Sequence, residues 1–163
     1  MDSSLGFISE IQKKLDLDIS HDELQILFFA ILFLIENRKT AQMNPSVTLH
    51  LLLAKTNFKL GLIPQAIREV RFAYGADSLN LEVQKTIDWL TIQIKTNLAS
   101  DQDKNRTVIE LEKLLMELED SDLIDSELYM LIANAFGKIG DANRSQCLRT
   151  KAQVFTILIE GSN

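Results

Sequence analysis

The sequence predicts an all-α protein of about eight helices, stacked as antiparallel helix hairpins. Glycine and proline, which interrupt helices, number only 6 and 2 in 163 residues. Apolar residues recur at helical spacing along most of the chain, and no segment of useful length alternates between apolar and polar residues as a strand would. Most of the predicted loops are short, and short loops force successive helices to pack antiparallel.

An N-terminal helical pair is predicted in residues 1–44. The first helix covers about Ser3–Leu17, where apolar residues recur every three or four positions. Ser20 and Glu23 are the ends of a capping box, in which the serine accepts a hydrogen bond from the first turn and the glutamate reaches back. The second helix therefore begins there and is expected to run to about Arg38.

The second helix contains ten consecutive apolar residues, from Ile26 to Ile35. A membrane-spanning helix needs about 20 such residues, and polar residues close this run on both sides, so no membrane span is predicted. The favoured interpretation is a helix buried nearly all round. The alternative is a homodimer formed through the Leu24–Ile35 helix, because large exposed apolar patches usually mark interfaces.

Six further helices are predicted in residues 45–163, and the whole chain is predicted to be one domain. Asn44 breaks the chain because a residue before proline avoids the helical region. Gly61 and Gly140 end two helices as C-cap glycines. The first three of these helices are expected to cover about Val47–Leu60, Pro64–Gly75 and Leu79–Leu98, with Pro64 in a first turn. The next begins at a Thr107–Glu110 capping box. The last two are expected from Asp125 or Ser126 to about Ile139 and from an Asp141 cap to about Ile159.

Charge and cysteine content argue against several partners and locations. The net charge is −6, and an acidic protein repels phosphate backbones, so no nucleic-acid partner is predicted. The single cysteine, Cys147, cannot form an internal disulfide, and the first residues lack the basic region of a signal peptide. A reducing, cytoplasmic location is predicted.

The sequence carries no recognisable catalytic constellation. Neither His21 nor His50 has a Cys, Asp or Glu partner at metal-ligand spacing in an apolar setting. There is no nucleophile elbow, phosphate loop or dinucleotide-binding glycine motif. We therefore predict a protein that is not an enzyme and uses neither metal nor cofactor. A helical-bundle enzyme is the alternative with the least support.

The segment Val47–Gly75 resembles a tetratricopeptide (TPR) repeat, a helix–turn–helix unit of 34 residues. Positions that are small or bulky in the family pattern are matched by Leu53, Ala54, Gly61, Ala66, Val70 and Ala73. Small side chains there let two helix axes approach closely. His50, Asn57 and Ser78 depart from the pattern, where the family has two aromatic residues and a proline.

The segment Ser126–Val154 resembles a second TPR repeat. Its matches are Tyr129, Ile132, Ala133, Phe136, Gly140 and Ala152, with Ser145 as an acceptable small residue. Arg149 stands where the family has a bulky apolar residue, which would suit a polar terminal cap. The helix pair between the two repeats, Leu79–Asp120, fits only as a degenerate repeat with long helices.

The resemblance implies a TPR-like α-solenoid with about three helix pairs in residues 45–163. In this family the first helices of the repeats line a concave groove that holds a peptide or helix of a partner protein. The implied groove residues are Leu51, Lys55, Phe58 and Lys59 from the first repeat, and Met130, Asn134 and Lys138 from the last.

The layout also resembles the TPR-type chaperones of bacterial type III secretion, which keep export substrates soluble before secretion. This resemblance implies a partner segment, apolar or amphipathic, that gains burial in an apolar groove. A structural adaptor held in a larger complex is the alternative function.

Overall fold

A computed structural model describes residues 4–100 and 107–159, and this part of the chain is all-helical. It contains eight helices and no strand, which confirms the predicted fold class. The helices are α1 Ser4–Leu15, α2 His21–Thr40, α3 Val47–Lys59, α4 Ile63–Ala76, α5 Leu81–Ala99, α6 Val108–Asp120, α7 Ser126–Lys138 and α8 Ala142–Leu158. The predicted start of the first helix, Ser3, lies outside the described residues.

Most helices begin where their capping residues lie. Ser20, Thr107, Asp125 and Asp141 each accept a hydrogen bond from the backbone N–H three residues later, at 2.9–3.3 Å. The fifth helix starts at Leu81, later than predicted. The cause is Asn80, whose side-chain oxygen accepts hydrogen bonds from the backbone N–H groups of Glu82 and Val83.

Two helix hairpins, α3–α4 and α7–α8, share one turn geometry. Three residues connect the helices in each, and the turn glycines, Gly61 and Gly140, have positive φ angles of 83° and 89°. The N–H after each glycine donates to a carbonyl of the preceding helix, from Leu62 to Asn57 at 2.8 Å and from Asp141 to Phe136 at 2.9 Å. These bonds satisfy carbonyls that a helix end would otherwise leave unpaired.

The chain divides into two compact units, and the division falls within α5, after Leu90. In the first unit, buried side chains of α1, α2 and α3 form one apolar cluster, made of Ile11, Leu15, Leu24, Leu27, Ile31, Ile35, Leu49, Leu52 and Leu53. A second cluster of Leu51, Ala73 and Val83 joins α3, α4 and α5. The prediction of a single domain stays a prediction.

In the second unit, which begins at Thr91, α7 packs against α6 and α8. Its core side chains include Leu111, Leu118, Leu128, Ile132, Phe136, Leu148 and Ala152. Polar contacts also join the helices, because Tyr129 of α7 and Lys151 of α8 both approach the carboxylate of Glu119 in α6, at 3.0 and 3.6 Å.

The interpretation of α2 as a helix buried nearly all round is wrong. Leu27, Ile31 and Ile35 face the core, but Ile26, Phe29 and Phe33 are 64–67% exposed. The sequence could not predict which face of the helix is buried, because the unbroken apolar run has no clear helical periodicity. Among residues 4–100 and 107–159, no helix is both long and apolar enough to cross a membrane.

Candidate binding cleft

A cleft in the first unit lies among three alternating helices, α1, α3 and α5. Its volume is about 280 Å³. Residues at the end of α1, along one face of α3 and in the first two turns of α5 form its surface. They are Gln12, Leu15, Asp16, Thr48, Leu51, Leu52, Lys55, Glu82 and Thr86.

Three leucines lie deepest in the cleft, and the rest of its lining is polar or charged. Leu15, Leu51 and Leu52 are buried there, each 3–5% exposed. Thr86 is buried as well, but its hydroxyl donates to the backbone carbonyl of Glu82 at 2.8 Å. With that hydroxyl already satisfied, the cleft offers its occupant apolar contact at depth and no unpaired hydroxyl from this residue.

The outer part of the cleft carries charges of both signs. Asp16 and Glu82 are exposed and acidic, whereas Lys55 is half-buried and basic. The Lys55 ammonium lies 5.8 Å from the centroid of the Trp89 ring, a cation–π distance. The ring of Phe58 meets the same tryptophan edge-on, with centroids 5.5 Å apart.

Of the four groove residues predicted in α3, two line this cleft. Leu51 and Lys55 contribute directly to its surface. Phe58 does not line the cleft, but its ring contacts Trp89, which Lys55 also approaches. Lys59 has a different contact, because its ammonium donates to the backbone carbonyl of Leu15. A cation on a carbonyl at the C-terminus of α1 stabilises that helix end and ties α3 to α1.

A second cleft, in the second unit, contains two of the three groove residues predicted there. Its volume is about 450 Å³, and it is lined by Leu98, Ala99, Leu131, Asn134, Gly137, Lys138 and Arg149. Met130 is half-buried and does not line it. The Asn134 side chain accepts a hydrogen bond from Arg149 at 2.7 Å, so the arginine that departs from the repeat pattern pairs with a predicted groove residue.

Sequence reasoning missed the cleft residues of α1 and α5. Gln12 and Asp16 lie in the N-terminal pair, outside the predicted repeats, and Glu82 and Thr86 lie in the helix pair that fits the pattern only as a degenerate repeat. One signal was available, since Thr86 stands between Val83 and Leu90 on the apolar stripe of α5. A polar residue on a buried stripe indicates either an internal hydrogen bond or a binding site. Thr86 has the internal hydrogen bond and also lines the cleft.

The two histidines are separate from each other in the structure. His50 is buried, and its Nδ1 lies 2.6 Å from the Glu69 carboxylate, which links α3 to α4. His21 is exposed and its Nε2 is 3.2 Å from the Gln25 amide nitrogen. In the described part of the chain, no group of three or more His, Cys, Asp or Glu side chains could hold a metal ion.

Comparison with known proteins finds no relative of this chain. It matches no family model, no curated protein and no solved structure. The relation to TPR repeats and to secretion chaperones therefore stays a prediction from the sequence.

Proposed function

We propose that this protein is a protein–protein interaction module that holds a peptide or amphipathic helix of a partner in the α1–α3–α5 cleft. The observation that carries the proposal is which helices form the cleft. Helices α1, α3 and α5, which alternate along the chain, line it, and Leu51 and Lys55 of α3 both contribute to its surface. A row of alternating helices is the surface on which stacked helix pairs bind extended segments.

The chemistry of the cleft favours an amphipathic segment. Leu15, Leu51 and Leu52 provide apolar contact. Because the fold already buries them, the gain of roughly 25 cal/mol per square ångström comes from the apolar surface of the bound segment itself. Asp16, Glu82 and Lys55 would instead orient polar groups of the same segment at the rim. Such groups give register and specificity more than affinity.

A chaperone role is the specific form of this function that we propose. An apolar or amphipathic client segment, held before export, would place its apolar side chains on the three leucines and its polar groups against the polar lining around them. The resemblance to secretion chaperones motivates this form, together with a cytoplasmic location. A permanent adaptor in a larger complex would use the same cleft, and a chain that precipitates alone but stays soluble when co-expressed with its partner would favour that role.

Substitution of Thr48 tests the cleft directly. Thr48 is exposed and lines the cleft, so Thr48→Arg should fill it with a long charged side chain. Gln65→Arg, at an exposed position of α4 that does not line the cleft, adds the same charge as a control. We expect the wild type and Gln65→Arg to capture the same protein from cells, and Thr48→Arg to lose at least tenfold in affinity for it.

The single tryptophan supplies an independent readout. Trp89 lies against Lys55 and Phe58, so a segment of the captured protein that enters the cleft should change its fluorescence. A saturable change in the wild type that is absent in Thr48→Arg supports the proposal. Equal binding to Thr48→Arg and Gln65→Arg would contradict it.

A further inference from the structure

The outer face of α2 presents a stripe of large apolar side chains. Ile26, Phe29 and Phe33 follow one another at helical spacing of three and four residues, and each exposes about two thirds of its surface. The opposite face of the same helix, with Leu27 and Ile31, belongs to the core of the first unit. Three such side chains on one exposed helix face form the kind of patch that marks an interface.

We propose that this stripe binds α2 of a second copy of the chain in an antiparallel arrangement, with the two-fold axis between Phe29 and Ala30. This goes beyond the proposed peptide binding, because α2 contributes no residue to the cleft. At 1.5 Å per residue, Ile26 and Phe33 lie at equal distances of about 5 Å on either side of that midpoint. The two-fold rotation therefore places Ile26 of each copy against Phe33 of the other, as an isologous interface requires.

The polar residues at the ends of the stripe select the antiparallel orientation. Asp22 and Asn37 also lie at equal distances from the midpoint, about 11 Å along the axis. The rotation brings the Asp22 carboxylate, an acceptor, to the Asn37 amide, a donor. A parallel pair would instead set Asp22 against Asp22, and like charges in contact oppose association.

The apolar area is consistent with a dimer of modest strength. Three side chains of this size, each about two thirds exposed, present about 400 Å² per copy. Burying both copies removes about 800 Å², and flanking polar residues would bring the total toward the roughly 1,200 Å² at which specific interfaces begin. Ala30, small and half-buried, leaves room for the opposing Phe29 near the axis.

The interface is tested by measuring the mass with light scattering after size exclusion. The concentrations should span a hundredfold range centred on about 10 µM. We expect the mass to rise from one chain to two. Phe29→Glu should raise the dissociation constant at least tenfold, because it places a charge at the axis. Leu81→Glu, at a position in α5 that is 65% exposed, is the matched control and should leave the dimer unchanged.

Cysteine cross-linking in a Cys147→Ser background tests the orientation. Phe29→Cys should form a disulfide between copies, because the two positions meet at the axis. Asp22→Cys should not cross-link to itself, since the antiparallel pair holds the two positions about 22 Å apart along the axis. A monomer at every concentration, a dimer insensitive to Phe29→Glu, or self-cross-linking of Asp22→Cys would each overturn the proposal.

Discussion

Gly61 has a φ angle of +83°, a backbone conformation that residues with a side chain rarely adopt. No atom lies within 4 Å of the position that a Cβ would occupy there. The cost of a side chain there is therefore one of backbone strain and not of crowding. Gly75, inside α4, also has open space around its missing Cβ, but its φ angle is not positive. The two glycines differ in backbone conformation while sharing the same absence of neighbours.

Alanine at the two positions should therefore have opposite effects. We expect Gly61→Ala to lower the free energy of unfolding by about 1 kcal/mol, through strain at positive φ. Gly75→Ala should raise it by up to about 1 kcal/mol, because alanine has the higher helix propensity. Urea unfolding followed by circular dichroism measures both. A stabilised Gly61→Ala would mean that the turn does not require a left-handed residue.

Tyr129 provides a pH-dependent contribution to stability in the second unit. Burial, followed by its hydrogen bond to Glu119 and the charge of that carboxylate, raises the pKa of Tyr129 to about 12. The usual pKa of tyrosine is about 10. Because the folded value lies above the unfolded one, the contribution is fully present below pH 10 and declines as pH rises toward 12.

Replacing the hydroxyl should remove this pH dependence. Between about pH 10 and pH 12, we expect the wild type to lose about 1–2 kcal/mol more unfolding free energy than Tyr129→Phe. Comparing the two proteins cancels the effects of lysines and of the other tyrosine, Tyr74. Parallel curves across this range would show that Tyr129 ionises equally easily in the folded and unfolded chains.

Among the helices, α7 has an N-terminus that is held in two ways. Asp125 accepts from the backbone N–H of Leu128 at 2.9 Å, and its other oxygen lies 3.0 Å from the Lys95 ammonium. Burial alone would lower the pKa of Lys95, but its hydrogen bonds to Glu127 and Asp125 outweigh that effect and raise it. The cap was predictable from sequence, whereas the link to α5 was not, because Lys95 is 30 residues away.

Two substitutions separate the cap from the ion pair. Asp125→Ala should cost about 1–2 kcal/mol of unfolding free energy, since it removes both. Asp125→Asn keeps a capping oxygen and should cost less than about 1 kcal/mol. Asp120→Ala, at an exposed carboxylate, serves as the control in the same urea titrations. Equal losses from Asp125→Ala and Asp125→Asn would assign the whole effect to charge.

Other elements show where sequence patterns stop being informative. The hairpin turns at Gly61 and Gly140 were predictable, because glycine after an apolar helix indicates a positive φ angle. The exposed stripe of α2 was not, since exposed and buried positions there carry the same kinds of side chain. Periodicity assigns a face only when the two faces differ in polarity.

At the scale of the whole molecule, the all-α class and the eight helices of residues 4–100 and 107–159 could be predicted, because each helix carries its own spacing and end signals. The cleft could be predicted only in part. Leu51 and Lys55 followed from the repeat pattern in α3, while Asp16 and Glu82 reach the same place through packing of α1 and α5. Residues that meet only in the folded chain leave no local signal.

Site-specific photo-cross-linking in cells tests the central claim most directly, by placing a photoreactive amino acid at Thr48 in the cleft or at Gln65 outside it. The proposed function predicts a covalent adduct with one dominant protein from position 48, and none with that protein from position 65. Mapping the adduct should identify an amphipathic segment of the partner. No adduct from position 48, or the same adducts from both positions, would contradict the claim that this cleft binds a partner protein.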